Sequence, residues 1–230
     1  MSSLQMKNIL TRSLLASILC AATLFAQRAD SIWTISIDAS MAMSAISPPS
    51  LVDYINTVSQ LARDERVGDF IAVPEFRVTA EMQIAAEWAA GVEYQYGVKT
   101  LQVAGQAGQS QFDYSANQIG AVLHYVIAGT SYDVRLGGGA AYLSATFREA
   151  LYGNPLSSSY DAHGVRLKGE IIGDTKLGES LWATIGLDAS WVTGGAFQNG
   201  SANLRVGGIA GEVSSFSFGL SLGIMFRFLP

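Results

Sequence analysis

The chain has 230 residues, of which 49% are hydrophobic, 10% aromatic and only 14% charged, with 24 glycines, five prolines and a single cysteine. So apolar a composition buries enough surface to offset chain entropy, which excludes a disordered protein. Fourteen Lys and Arg against 19 Asp and Glu leave a net charge of -5, which argues against nucleic acid as a partner, and a lone Cys excludes both a disulfide framework and a multi-Cys zinc site.

The first segment reads as an address. Lys7 and Arg12 precede an uncharged run over 14–26, and the chain turns polar at Gln27 and Arg28. A basic end, a short apolar stretch and a small residue at Ala26 predict a cleaved secretory signal peptide over 1–26, too short to span a bilayer, which takes about 20 apolar residues. Leu19, directly before Cys20, is larger than lipoprotein processing prefers. One domain, 27–230, is expected to remain.

From Ile32 onward the pattern has period two, the mark of a strand. Trp33, Ile35, Ile37, Ala39, Met41 and Met43 oppose Thr34, Ser36, Asp38 and Ser40. A second run, beginning at Phe76, sets Val78, Ala80 and Met82 against Arg77, Thr79 and Glu81. After a tight turn over 85–87 a third sets Trp88, Val92, Tyr94 and Tyr96 against Glu93, Gln95, Gly97 and Lys99. Over 111–127, Phe112, Tyr114 and Ala116 lie on the opposite parity to Ile119, Leu123 and Ile127, and a β-bulge near Asn117-Gln118 is expected to reconcile them. Runs over 132–147, 164–172, 181–192 and 214–228 complete eight strands. Long connections over 44–69, 148–162 and 194–213 fall on one end of the meander and short ones on the other.

The chemistry of the two faces indicates the solvent. The polar face is sparse in charge, with both signs nearly balanced: Arg77, Lys99, Arg135, Arg166, Lys168 and Arg227 against Asp38, Glu81, Glu93, Asp113, Asp133, Glu170 and Asp188. Charges in a confined lumen must pair, because desolvation is costly. The apolar face carries Trp, Tyr and Phe near the segment ends, as interfacial girdles require. The fold class expected is all-β: an eight-stranded antiparallel up-and-down transmembrane β-barrel with a short helix in the first long loop. A soluble lipid-binding barrel with its apolar face inward is the rival from another class.

The C-terminal strand carries the most specific motif. In the segment 221–228 (SLGIMFRF), Ser221, Gly223, Phe226 and Phe228 follow the order polar, any, Gly, any, any, hydrophobic, any, aromatic, with Leu229 and Pro230 trailing. On this segment and the seven strands before it, the chain resembles the bacterial outer-membrane β-barrel family, in its small eight-stranded OmpA/OmpX-like class. The resemblance implies outer-membrane lipid as solvent, recognition of the last strand by the barrel-assembly machinery, residence in the bacterial cell outer membrane, and no enzymatic motif.

Pro48, Pro49 and Ser50 open a helix of about three turns, with Ser50 as N-cap and Asp53 in a capping-box-like position. Leu51, Tyr54, Ile55, Val58, Leu61 and Ala62 share its apolar face, while Asn56, Ser59 and Gln60 point away. The helix is expected to pack on the rim or to gate the lumen. His124 and His163 are the only histidines, placed towards opposite membrane surfaces. His163 lies near Ser157, Ser158, Ser159 and Asp161, which are read as loop residues; no catalytic, metal or cofactor site is expected. Eight strands enclose a space just wide enough for side chains. The reading that follows is a non-enzymatic anchor for surface loops that meet an extracellular partner. The alternative is a narrow channel for small or apolar solutes past Gly91, Gly97, Gly137 and Gly139, gated by the helix over 51–62.

Overall fold

The structure, a computed structural model, describes residues 34–61, 66–68, 70–105, 108–153 and 157–228. The expected signal peptide, Trp33 and Ala62 lie outside the described residues. Seven long strands follow in chain order: β1 (Ile35–Ser47), β2 (Phe70–Ala85), β3 (Trp88–Gly105), β4 (Gly108–Ala128), β5 (Tyr132–Ala150), β6 (Ser158–Lys176) and β7 (Leu181–Gly194). Four two-residue strands, β8 (Gln198–Asn199), β9 (Ala202–Asn203), β10 (Arg205–Val206) and β11 (Ile209–Ala210), fold the next loop before β12 (Ser215–Phe228). Each long strand pairs antiparallel with its neighbours, and β12 pairs with both β1 and β7 while β5 pairs with β6, so eight strands close on themselves. Closure leaves no open sheet edge within the paired region, the condition for backbone in hydrocarbon.

The lipid belt is direct to read. Val92, Leu187 and Leu222 are 55%, 60% and 61% exposed, while Glu93, Asp188 and Ser221 on the alternate positions are buried. Thirteen-residue β1 already exceeds the 9–11 residues that span a bilayer, and β4 has 21. At a strand rise of about 3.3 Å and a tilt of about 40°, β4 climbs roughly 50 Å, some 20 Å more than the hydrocarbon core.

The excess length projects at the end away from the tight turns, and there the two faces exchange character. On β4 the outward residues change from Ile127, Leu123 and Ile119 to Asn117, Ser115, Asp113 and Gln111, while the inward ones change from His124 and Gln118 to Ala116, Tyr114 and Phe112. The registers of β4 with β3 and β5 run unbroken from end to end, so the bulge expected near Asn117-Gln118 is absent. Phe112, Tyr114 and Ala116 did not slip onto the lipid face; above the bilayer the outside meets water and the inside becomes an apolar core. The expected loops are correspondingly shorter: β5 and β6 extend to Ala150 and from Ser158, and β2 begins at Phe70.

A bulge does occur on β2. Ser44 pairs with Val73 and Ile46 with Phe70, and Ala72 within the extra step has φ of 58°. The inserted residue reverses parity, so Phe70 points into the core with Val73 although three positions separate them.

Helix α1 (Pro49–Val58) starts two residues earlier than expected. Pro48 is the N-cap without a side-chain hydrogen bond, and Ser50 lies inside the first turn. Pro49 has no N–H to leave unsatisfied and its fixed φ suits the first helical position, so the ring takes over the role assigned to the serine.

Candidate functional site

The lumen at bilayer depth holds a connected set of ion pairs. Arg77 on β2 reaches across to Asp188 Oδ1 at 2.9 Å and Glu170 Oε2 at 3.2 Å, with Glu93 Oε2 at 3.5 Å from its Nε. Lys168 bridges Glu93 at 2.6 Å and Glu170 at 2.7 Å. Arg166 donates to Asp188 at 3.2 Å, to Gln118 at 2.8 Å and to Gln95. Arg135 forks onto Asp174 through Nε at 2.8 Å and Nη2 at 3.0 Å, and meets Glu81 at 2.8 Å and Asp38 at 3.6 Å. Nearer the tight turns, Arg227 pairs with Asp133 at 2.6 Å and lies 4.1 Å over the Trp182 ring.

His124 joins the set. Its Nδ1 is 2.5 Å from Glu81 Oε1 and its Nε2 3.0 Å from Glu170 Oε1. A neutral imidazole has one N–H, so the form that donates to both carboxylates is the imidazolium. The ring thereby ties the Arg135 cluster to the Arg77–Lys168 cluster. Removing one partner of such a buried set leaves an uncompensated charge.

Of the lumen residues expected from sequence, eleven make these contacts. Lys99 lies on the same parity of β3 as Glu93, but six residues further towards the loop end and half-buried. Sequence reading put Gln95 on the lumen face without assigning it a partner, and missed Asp174, Gln118, Trp182 and the side of His124. Asp174 lay beyond the alternating window assigned to its strand. His124 alternates with Leu123 and Tyr125 and so falls on the inward parity, a side the sequence reading did not assign.

Above the charges lies the apolar cap. Leu51 and Ile55 of α1 are fully buried against Phe70, Phe112, Phe147 and Phe197. Tyr54 meets Phe147 edge to face at 6.2 Å, and its hydroxyl donates to Glu149 Oε2 at 2.7 Å. Burial first, and the Glu149 carboxylate second, push the Tyr54 hydroxyl above its ordinary value. Val58 is partly buried, as the helical spacing predicts; the helix ends there, with Ser59 as C-cap, and Leu61, expected on its face, is buried beyond its end. Asn56, expected to face away, is buried: it donates to the Val67 carbonyl at 2.9 Å and accepts from the Val67 N–H at 2.7 Å, fastening the segment that follows the helix.

Among the described residues the void between the mid-lumen charges is about 10 Å³, room for about one water. Among the described residues no open path runs past Gly91 and Gly137. A Cβ at Gly91 or Gly137 would meet the neighbouring strand's backbone and the side chains of Glu81 or His124, so these glycines admit close strand approach and bulky partners. A cavity of about 170 Å³ opens at the tight-turn end beside Gln83, Asp133 and Arg227.

His163 is exposed on the outer wall, stacked on Tyr142 with ring centres 5.7 Å apart, and Asp161 accepts from Thr146 at 2.8 Å. Ser159, Asp161 and His163 share a strand face two residues apart, and among the described residues no serine–histidine hydrogen bond forms. In the last strand, Ser221 faces the lumen and Gly223 packs against Ser40 and Thr184, while Phe226 and Phe228 face outward.

A closed, apolar-coated cylinder filled by paired ions is a transmembrane β-barrel of the small eight-stranded kind. No protein-family model matches the chain, and no curated protein matches it. Solved structures do. A major outer membrane protein from Thermus thermophilus is similar with a TM-score of 0.53 and 13% identity, over 86% of this chain and 100% of that one. Ail, the attachment invasion locus protein of Yersinia pestis, solved with the heparin analogue sucrose octasulfate, has a TM-score of 0.52 and 8% identity over 86% and 100%. Neisserial surface protein A has a TM-score of 0.52 and 15% identity over 84% and 97%. At these identities the likeness is one of fold: this chain has the bacterial outer-membrane barrel fold.

Proposed function

We propose that the protein is a non-enzymatic component of the bacterial outer membrane, exported by a signal peptide over 1–26, whose barrel anchors a capped extension for contacts outside the cell. The observation that carries this reading is the exchange of faces along β4 and β5: a lipid-coated, ion-filled segment continues into a segment that is polar outside and apolar inside. The lower part is suited to hydrocarbon and the upper part to water, as an anchor with a projecting head requires. Similarity to Ail, an attachment protein by name, supports an external partner. The assembly machinery would recognise β12 through Ser221, Gly223, Phe226 and Phe228, whose two phenylalanines stay accessible on the outer wall.

The test is fractionation of cells expressing the full chain, with gel mobility of the unheated protein. Recovery in outer membranes, with mobility that shifts on boiling, supports the reading. Recovery as a detergent-free soluble protein in the periplasm overturns it.

A further inference from the structure

The two ends of the lumen differ in their access to water. On the loop side the apolar cap closes it, with Leu51 and Ile55 fully buried against Phe112 and Phe147, and the void among the mid-lumen charges is about 10 Å³. On the tight-turn side a cavity of about 170 Å³ opens, and Thr34, Gln83, Val126, Arg135 and Glu81 line it. Glu81 belongs to both places, since its Oε1 also holds His124 Nδ1 at 2.5 Å. Among the described residues, a proton on the ring therefore comes and goes through Glu81, from the tight-turn end.

Charged groups surround the ring from five strands: Asp38 on β1, Arg77 and Glu81 on β2, Glu93 on β3, Arg135 on β5, and Lys168 and Glu170 on β6. Its two partners are unequally placed. Besides His124, Glu170 has Lys168 at 2.7 Å and Arg77 at 3.2 Å, and it sits where almost no space is left. Glu81 Oε2 meets Arg135 at 2.8 Å, but among the described residues Oε1 has only the ring, with the cavity and its water alongside. A neutral imidazole keeps one N–H and presents a lone pair at its other nitrogen. When the Nδ1 proton passes by way of Glu81 to cavity water, Nε2–H still donates to Glu170 while the Nδ1 lone pair faces the Glu81 carboxylate, which repels it. Glu81 has room to turn to water; Glu170 has none. We propose that His124 is a proton-operated latch read from the tight-turn end. Charged, it clasps the Arg135 cluster to the Arg77–Lys168 cluster; neutral, it stays with Glu170 and releases Glu81.

The full-length protein carrying His163→Asn, which leaves a single imidazole, is isotope-labelled at its histidine nitrogens and placed in phosphatidylcholine bilayers, and the ring signals are followed by NMR from acid to alkaline pH. Near neutral pH both nitrogens should carry a proton, and on raising the pH Nδ1 should lose its proton while Nε2 keeps one. The urea midpoint should fall over the same pH interval, and adding His124→Gln should remove that fall. Exchange of the Nδ1 proton with water should slow about tenfold in Thr34→Trp or Val126→Phe, two separate variants that narrow the tight-turn mouth, and stay unchanged in Gln111→Arg on the outer wall above the belt. A singly protonated ring near neutral pH, or loss of the Nε2 proton first, overturns the proposal. So do the same fall in midpoint with and without His124→Gln, and exchange that a narrowed mouth leaves unaltered.

Discussion

Arg135 faces Glu81, Asp174 and Asp38 in a space closed to bulk water. Replacing it by Met removes the cation and leaves the carboxylates, so Arg135→Met should destabilise the folded barrel by about 3–5 kcal/mol, read as a lowered urea midpoint in detergent. Replacing His124 by Gln removes the ring's charge but keeps an amide NH2 that can donate to the glutamates, and should cost less than Arg135→Met in the same assay. These charges were legible in the sequence as a balanced, sparse set on one face. Their pairing was not, because the partners lie far apart in the chain: Arg77 and Asp188 are separated by 111 residues, and only closure of the cylinder brings them together. His124 shows the same limit: its inward parity followed from its neighbours Leu123 and Tyr125, but nothing near it in the chain points to Glu81 and Glu170, 43 and 46 residues away, as its partners.

Strands and helix differ in how they announce themselves. Alternation revealed every long strand, since period two survives wherever one face meets a different medium from the other. It could not say which medium, and so Phe112, Tyr114 and Ala116, inward and apolar, read as a slipped lipid face when the interior itself had changed. Two substitutions on the outward face of β4 check the boundary. Leu123→Arg, within the belt, should cost about 2–4 kcal/mol, and Gln111→Arg, above it, no more than about 0.5 kcal/mol; equal costs at both sites would place them in the same solvent. The cap was legible as an amphipathic helix, but not as a plug, because nothing in 49–58 specifies the aromatic residues of β4, β5 and the 195–214 loop that receive it. Leu51→Ala or Ile55→Ala, each at a fully buried position, should cost about 2–5 kcal/mol. The loss should be confined to the loop end, detected as new protease cleavage there while heat-modifiable mobility persists. The Tyr54 hydroxyl is held protonated in the fold above its ordinary value of 10.0. Its contribution to cap stability is therefore full below about pH 10 and declines as pH rises above that value. Cap protection, measured by hydrogen exchange, should fall in that alkaline window in the wild type and fall less in Tyr54→Phe.

The whole molecule is organised by two changes of medium along a single cylinder. At bilayer depth an apolar exterior surrounds ions that hold one another across the lumen; above it an apolar interior, sealed by α1, lies inside a polar wall. The two regions share the same strands, so the extension continues the hydrogen-bonded wall of the anchor, and that wall forms much of the surface presented beyond the membrane. The most direct measurement of this arrangement places single spin labels at positions 92, 187 and 222, at 93 and 188, and at 111 and 115, in the folded protein in lipid bilayers. Lipid-dissolved oxygen should relax the first group strongly, reach the second weakly, and give way to a water-soluble relaxant at the third. Strong relaxation of labels at 93 and 188 by the water-soluble reagent, with 92, 187 and 222 shielded from oxygen, would contradict the account.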